Sequence, residues 1–141
     1  MKRRKIRSLS VSEIGMGCMG FSHGYGQVPG AGYAEEAIRE AFGYGCNFFD
    51  TAEGYGKELY YPGHNEEIVG RAVRGFRNEV VIATKLHIRP EAVEDCGSVY
   101  AAVRRHLERS LKNLQIDYVD LYYLHRINME EDNLEGAHAM G

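Results

Sequence analysis

Three cysteines are all that the 141 residues contain, and Cys18, Cys46 and Cys96 are too far apart to form a CxxC pair. An odd number at such spacing excludes a disulfide frame and a cysteine zinc site, and suits free thiols in a reducing compartment. His23, His64, His87, His106 and His138 show neither HxxxH nor Cys/His spacing, so no metal site is expected. Apolar runs are short, none approaching the roughly 18 residues that suggest a membrane span. The basic opening Met1-Lys2-Arg3-Arg4-Lys5 leads into a mixed polar segment at 6–13 with no apolar core, so a secretory leader is not expected. A formal net charge of −3 gives no electrostatic reason to expect nucleic acid or an anionic membrane as partner. The expected location is the cytoplasm. Linkers, low-complexity stretches and internal repeats are also missing, and the length supports one core and not two.

What the sequence does contain is an alternation of two periods. A glycine-punctuated apolar segment at 12–19 is an expected strand, running into a glycine-rich loop. Apolar residues at Ala34, Ala37, Ile38, Ala41 and Phe42 have helical spacing, closed by Gly45. A short strand at 46–49 ends at Asp50. Asn65 is the expected N-cap of a helix over 66–74, with acids in its first turn and arginines in its last. Strands at 79–84 and 118–124 flank a helix over 99–113 capped by Ser98, and Asn133 begins a further helix in which the chain ends. Near-continuous apolar strands alternating with helices predict a parallel sheet covered by helices.

Four chemistry-bearing residues fall on one edge of such a sheet. Asp50, Lys85 and His125 close the second, third and fourth expected strands, and Tyr55 lies in the loop directly after the second. Parallel α/β architectures build their active sites at that edge. Singly, each residue has an ordinary explanation: a turn aspartate, a solvated lysine, a satisfied histidine. Together they are the parts of a proton-donating phenol. A free tyrosine has a pKa of about 10, and a lysine cation beside a phenol favours the phenolate. A buried lysine needs an anion to hold it, which is a role for Asp50. The imidazole of His125 can donate to a carbonyl oxygen and fix its orientation. The implied reaction is proton delivery to a carbonyl oxygen while another group supplies hydride to the carbon.

Five segments carry a resemblance in combination and in order. They are Gly15-Met16-Gly17-Cys18-Met19-Gly20, Phe49-Asp50-Thr51-Ala52-Glu53-Gly54-Tyr55-Gly56, Asn65-Glu66-Glu67-Ile68-Val69-Gly70, Val81-Ile82-Ala83-Thr84-Lys85, and the stretch from Ser110 through Asp117-Tyr118-Val119-Asp120-Leu121 to His125-Arg126. The chain resembles the N-terminal half of an aldo-keto reductase, a family of (β/α)8 barrels that reduce aldehydes and ketones with NADPH. The resemblance runs from about Lys5 to Arg126. It implies Tyr55 as general acid, Lys85 as the cation that lowers its pKa, Asp50 as the partner of Lys85 near the nicotinamide ribose, and His125 as the group that orients the substrate carbonyl. It further implies that Cys18 and Met19 touch the nicotinamide end of the cofactor, with ordinary loop packing as the alternative. Phe21, Tyr25 and Leu86 are candidates for lining a pocket for a small-molecule carbonyl substrate.

The expected fold class is α/β, a partial (β/α)8 TIM barrel of about four βα units with a parallel sheet. Residues 1–141 are expected to form a single domain, the N-terminal half of such a barrel truncated in the fourth helix. A complete barrel needs about 250 residues, and in this family the cofactor's phosphates and adenine are contacted after strands five to eight. A second reading therefore stands beside the enzyme: a non-catalytic half-barrel or regulatory binding subunit. Unpaired strands at the two ends of the sheet would favour self-association. A flavodoxin-like binding domain is disfavoured, because the glycines at 15, 17 and 20 run into a loop and not into the helix N-terminus that a phosphate-binding loop needs.

Overall fold

The structure, a computed structural model, describes residues 1–24, 26–126 and 139–140. Tyr25 and the helix expected from Asn133 lie outside these residues. Two strands, β1 (Arg3–Ile6) and β2 (Leu9–Ser12), form an antiparallel hairpin at the start of the chain. Four more, β3 (Met16–Gly17), β4 (Phe48–Asp50), β5 (Val81–Leu86) and β6 (Leu121–Leu124), form a parallel sheet in chain order. Helices α1 (Ala31–Gly43), α2 (His64–Val73), α3 (Pro90–Cys96) and α4 (Val99–Leu114) occur among the connections. This is the α/β arrangement with a parallel sheet that the sequence predicts.

The core lies between the sheet and the helices. Phe49 and Ile82 on the sheet meet Ile38 of α1, Ile68 and Val69 of α2, and Leu114 at the end of α4, all without solvent exposure. Alternation along a strand then turns Asp50 and Lys85 away from this layer, so apolar burial on one face presents polar chemistry on the other. The helices α2 and α4 approach so closely that a Cβ on Gly70 would run into the Leu114 carbonyl. Stacked Phe42 and Phe76 rings, 4.0 Å apart, tie α1 to the segment following α2.

Three local expectations are corrected. The segment at 12–19 does not form one strand: Ser12 closes the hairpin, and only Met16–Gly17 joins the parallel sheet. Asn65 does not cap α2. Gly63, at φ +94°, occupies the N-cap, and Asn65 lies within the first turn, wholly buried. The short helix α3, opened by Pro90, stands where no helix was expected. Ser98 does cap α4, its Oγ accepting the Ala101 N–H at 3.1 Å.

Candidate active site

The C-terminal strand ends converge through backbone bonds. Gly17 stands opposite Asp50 in register, and Lys85 opposite Tyr123. Beyond the ladders, Cys18 N–H donates to the Asp50 carbonyl at 2.8 Å, Thr51 N–H to Ala83 at 2.9 Å, and His125 N–H to Leu86 at 2.8 Å. These bonds hold the segments after β3, β4 and β6 against their neighbours, and so fix where each side chain emerges. Gly56, at φ +97° and packed against Ser22 and His64, lets the loop after Tyr55 turn back.

All three ammonium donors of Lys85 are engaged. Nζ donates to Asp50 Oδ2 at 2.8 Å, to the Thr51 carbonyl at 2.6 Å and to the Tyr55 hydroxyl at 3.3 Å. The lysine is mostly buried, its side chain 14% exposed, whereas Asp50 is 35% exposed. Asp50 Oδ1 makes no hydrogen bond among the described residues, so one carboxylate oxygen remains an open acceptor. The Tyr55 and His125 rings meet edge to face, centroids 5.3 Å apart. Burial holds the His125 imidazole below its ordinary pKa, reinforced by the Lys85, Arg126 and His87 charges. The ring is therefore neutral near pH 7 and able to donate a hydrogen bond without carrying charge.

Two cavities adjoin these groups. One, of about 720 Å³, runs along the inner sheet face past Phe48, Asp50, Lys85 and His125. The other, of about 610 Å³, opens at Met19, Tyr55, His87 and His125. His125 borders both. The structure thus brings Asp50, Tyr55, Lys85 and His125 together, and Met19 faces the second cavity. Cys18 is placed differently: it is wholly buried, and burial beside Asp50 pushes its thiol up to about 12. Its side chain belongs to the packing layer. Leu86 is likewise buried, and half-buried Phe21 packs against the core.

Sequence reasoning missed two contributors. Thr51 supplies the carbonyl that holds Lys85, a backbone role that no residue type signals. Glu53, 9% exposed at its side chain, receives the His87 N–H at 3.0 Å and Arg109 Nη2 at 3.0 Å, and lies 2.7 Å from His106 Nδ1. Burial opposes ionisation of Glu53, but His106, the His87 N–H and Arg109 outweigh it and hold the carboxyl below its usual range. The signal available was an acid three residues after Asp50 in an otherwise apolar and glycine-rich run. Among the described residues, no group of three or more His, Cys, Asp or Glu is arranged to hold a metal ion.

A parallel βα sheet whose strand ends gather an acid, a phenol, an amine and an imidazole has the makings of an active site at that edge. Comparison with known proteins makes this specific: the Aldo/keto reductase family model matches residues 13–141, and the chain belongs to that family. It is 36% identical over 144 residues to YqkF, an uncharacterized oxidoreductase of Bacillus subtilis, covering 96% of this chain and 42% of that protein. It is 38% identical over 133 residues to an aldo-keto reductase [NADP(+)] of Schizosaccharomyces pombe, covering 90% and 37% respectively. Among solved structures, the holo form of an aldo-keto reductase from Bacillus halodurans is similar with a TM-score of 0.78 at 32% identity, over 99% of this chain and 45% of that one. The chain spans about two-fifths of the length of these curated relatives.

Proposed function

We propose that the protein carrying this chain reduces an aldehyde or ketone to an alcohol with NADPH, and that Tyr55 delivers the proton. The observation that carries this reading is the contact of Lys85 Nζ with the Tyr55 hydroxyl at 3.3 Å, while the same nitrogen is held by Asp50 and the Thr51 carbonyl. A cation fixed beside a phenol stabilises the negative charge that develops as the proton leaves. Neutral His125, in edge contact with Tyr55, donates to the substrate oxygen and sets the carbonyl within reach of the phenol.

The donor set fits the nicotinamide-ribose end of the cofactor. Asp50 Oδ1 is available to accept from a ribose hydroxyl, and Met19 borders the second cavity beside Tyr55. When bound, the cofactor supplies hydride to the carbonyl carbon. Cys18 could contribute only by backing the loop, because its thiol is buried. The test is NADPH oxidation with an aromatic aldehyde, comparing wild type with Tyr55→Phe. Loss of turnover in the variant is expected, and retained turnover would overturn the assignment of Tyr55.

A second reading concerns the 141 residues as a unit. The inner face of the four-stranded sheet lines a cavity of about 720 Å³ that includes Ile6, Val11, Met16, Phe48 and Leu124. We propose that these residues form one domain that, in isolation, pairs through this face and the β3 and β6 edges rather than turning over substrate. No helix among the described residues is long and apolar enough to cross a membrane. A cytoplasmic setting accords with this and with free, buried Cys18 and Cys46.

A further inference from the structure

The first turn of α2 carries two polar side chains with no solvent contact. Asn65 and Glu66 are both 0% exposed, an unusual position for these residue types unless every polar atom is engaged. Asn65 Oδ1 accepts from Thr51 Oγ1 at 2.6 Å, and Nδ2 donates to the Cys18 carbonyl at 2.8 Å and to Ser22 Oγ at 2.9 Å. One amide thereby joins the segment after β3 to the segment after β4. Glu66 acts in parallel at β5, where Oε1 accepts from Thr84 Oγ1 at 2.7 Å and Oε2 accepts from Asn113 Nδ2 at 2.9 Å.

The residues so gripped are the immediate neighbours of the candidate site. Thr51 follows Asp50, and its carbonyl accepts a hydrogen bond from Lys85 Nζ at 2.6 Å. Thr84 precedes Lys85. From Asn65 to the ammonium there is a single intervening residue, and Thr51 is held at both ends: its hydroxyl by Asn65, its N–H by Ala83 at 2.9 Å. Packing alone does not call for an asparagine here, since an apolar residue has the better helix propensity and carries no desolvation cost. An amide that unites three segments is suited to holding geometry.

We propose that Asn65 is a positioning residue for carbonyl reduction: through the Thr51 hydroxyl it sets the Thr51 carbonyl that aims Lys85 Nζ at the Tyr55 hydroxyl. The inference rests on the reading of Tyr55 as proton donor. Asn65 touches no reacting atom, so its loss alters alignment at the phenol and leaves the substrate's own contacts in place.

The test uses the full-length protein that carries this sequence. Thr51→Val removes the hydroxyl donor at nearly constant shape and keeps the carbonyl, Thr51→Ser keeps both, and Asn65→Ala removes all three side-chain bonds. A misplacement near 1 Å can cost about 100-fold in rate. The expected result is a fall in kcat of about 10-fold in Thr51→Val and up to about 100-fold in Asn65→Ala, with KM for the aldehyde within about two-fold and Thr51→Ser close to wild type. Thermal melts fix an assay temperature at which every variant is folded. A second readout, independent of turnover, is the ¹⁵N-detected Lys85 ammonium signal, identified by its loss in Lys85→Met. Slow proton exchange is expected in wild type and Thr51→Ser, and fast exchange in Thr51→Val and Asn65→Ala. Wild-type kcat in Thr51→Val despite a lowered Tm would overturn the proposal. If Tyr55→Phe retains activity, the functional reading fails separately. The ammonium signal then decides: slow exchange persisting in Thr51→Val overturns the positioning role, and its loss supports it.

Discussion

At the scale of single residues, the geometry around Lys85 explains why an amine, an acid and a phenol occur together. An ammonium buried with three acceptors loses little by desolvation, because each N–H finds a partner. The direction of its third bond then holds the positive charge of the ammonium 3.3 Å from the Tyr55 oxygen. His125 is the neutral member of the set. Its folded pKa is depressed from 6.5 by burial and by Lys85, Arg126 and His87. The unfolded chain therefore binds the proton first as pH falls, so the stability this site contributes is present above 6.5 and lost as pH drops through the folded value. His64, also depressed by burial, adds to the same trend. Urea midpoints at pH 7 and pH 5.5 should fall more steeply in wild type than in His125→Gln, by some fraction of the roughly 1.4 kcal/mol that one pKa unit represents. Equal slopes would place His125 outside this linkage.

At the scale of elements, α2 and its crossing with α4 decide how accurately the strand ends meet. Gly70 permits the approach. Gly70→Ala should destabilise by about 1–3 kcal/mol in urea unfolding, the range for overpacking a close contact, and a neutral result would mean that the helices move apart freely. This is also where the legibility of the sequence divides. Helices α1 and α4 and strands β4, β5 and β6 were readable because apolar period, a serine cap and terminal glycines agree. The hairpin of β1 and β2 was not. Its turn holds Arg7 at φ 51° with no glycine or asparagine at that position, and all four β1 residues are exposed. Nor was α3, too short for a periodic signal. Asn65 was misread for a physical reason: an asparagine before an acidic, apolar run has the pattern of a cap, and only the tertiary bonds to Thr51, Cys18 and Ser22 account for it inside the helix. The acid, phenol, amine and imidazole were visible because strand ends are visible. Their supporting shell was hidden, being made of a backbone carbonyl and buried amides from distant segments.

At the scale of the whole molecule, the C-terminal ends of successive parallel strands and the segments that follow them compose one site, which holds only if the sheet keeps its register. The inner sheet face bears both apolar lining and the charged pair, and the edges β3 and β6 offer unpaired backbone among the described residues. Light scattering after size exclusion should therefore find the isolated 141 residues as a dimer or larger species, and a compact monomer with a cooperative melt would contradict the proposed pairing. Carbonyl reduction as proposed requires Lys85 and Tyr55 of the full-length protein to act as one proton-delivering unit. The most direct measurement is a double-mutant cycle on aldehyde reduction with Tyr55→Phe, Lys85→Met and both together. Each single change should lower kcat by about 10²–10⁴-fold, the range for general acid catalysis. The double variant should be scarcely worse than either, because the lysine has no purpose without the phenol. Losses that multiply in the double variant would show that the two residues act independently and would rule out a joint proton-delivering unit.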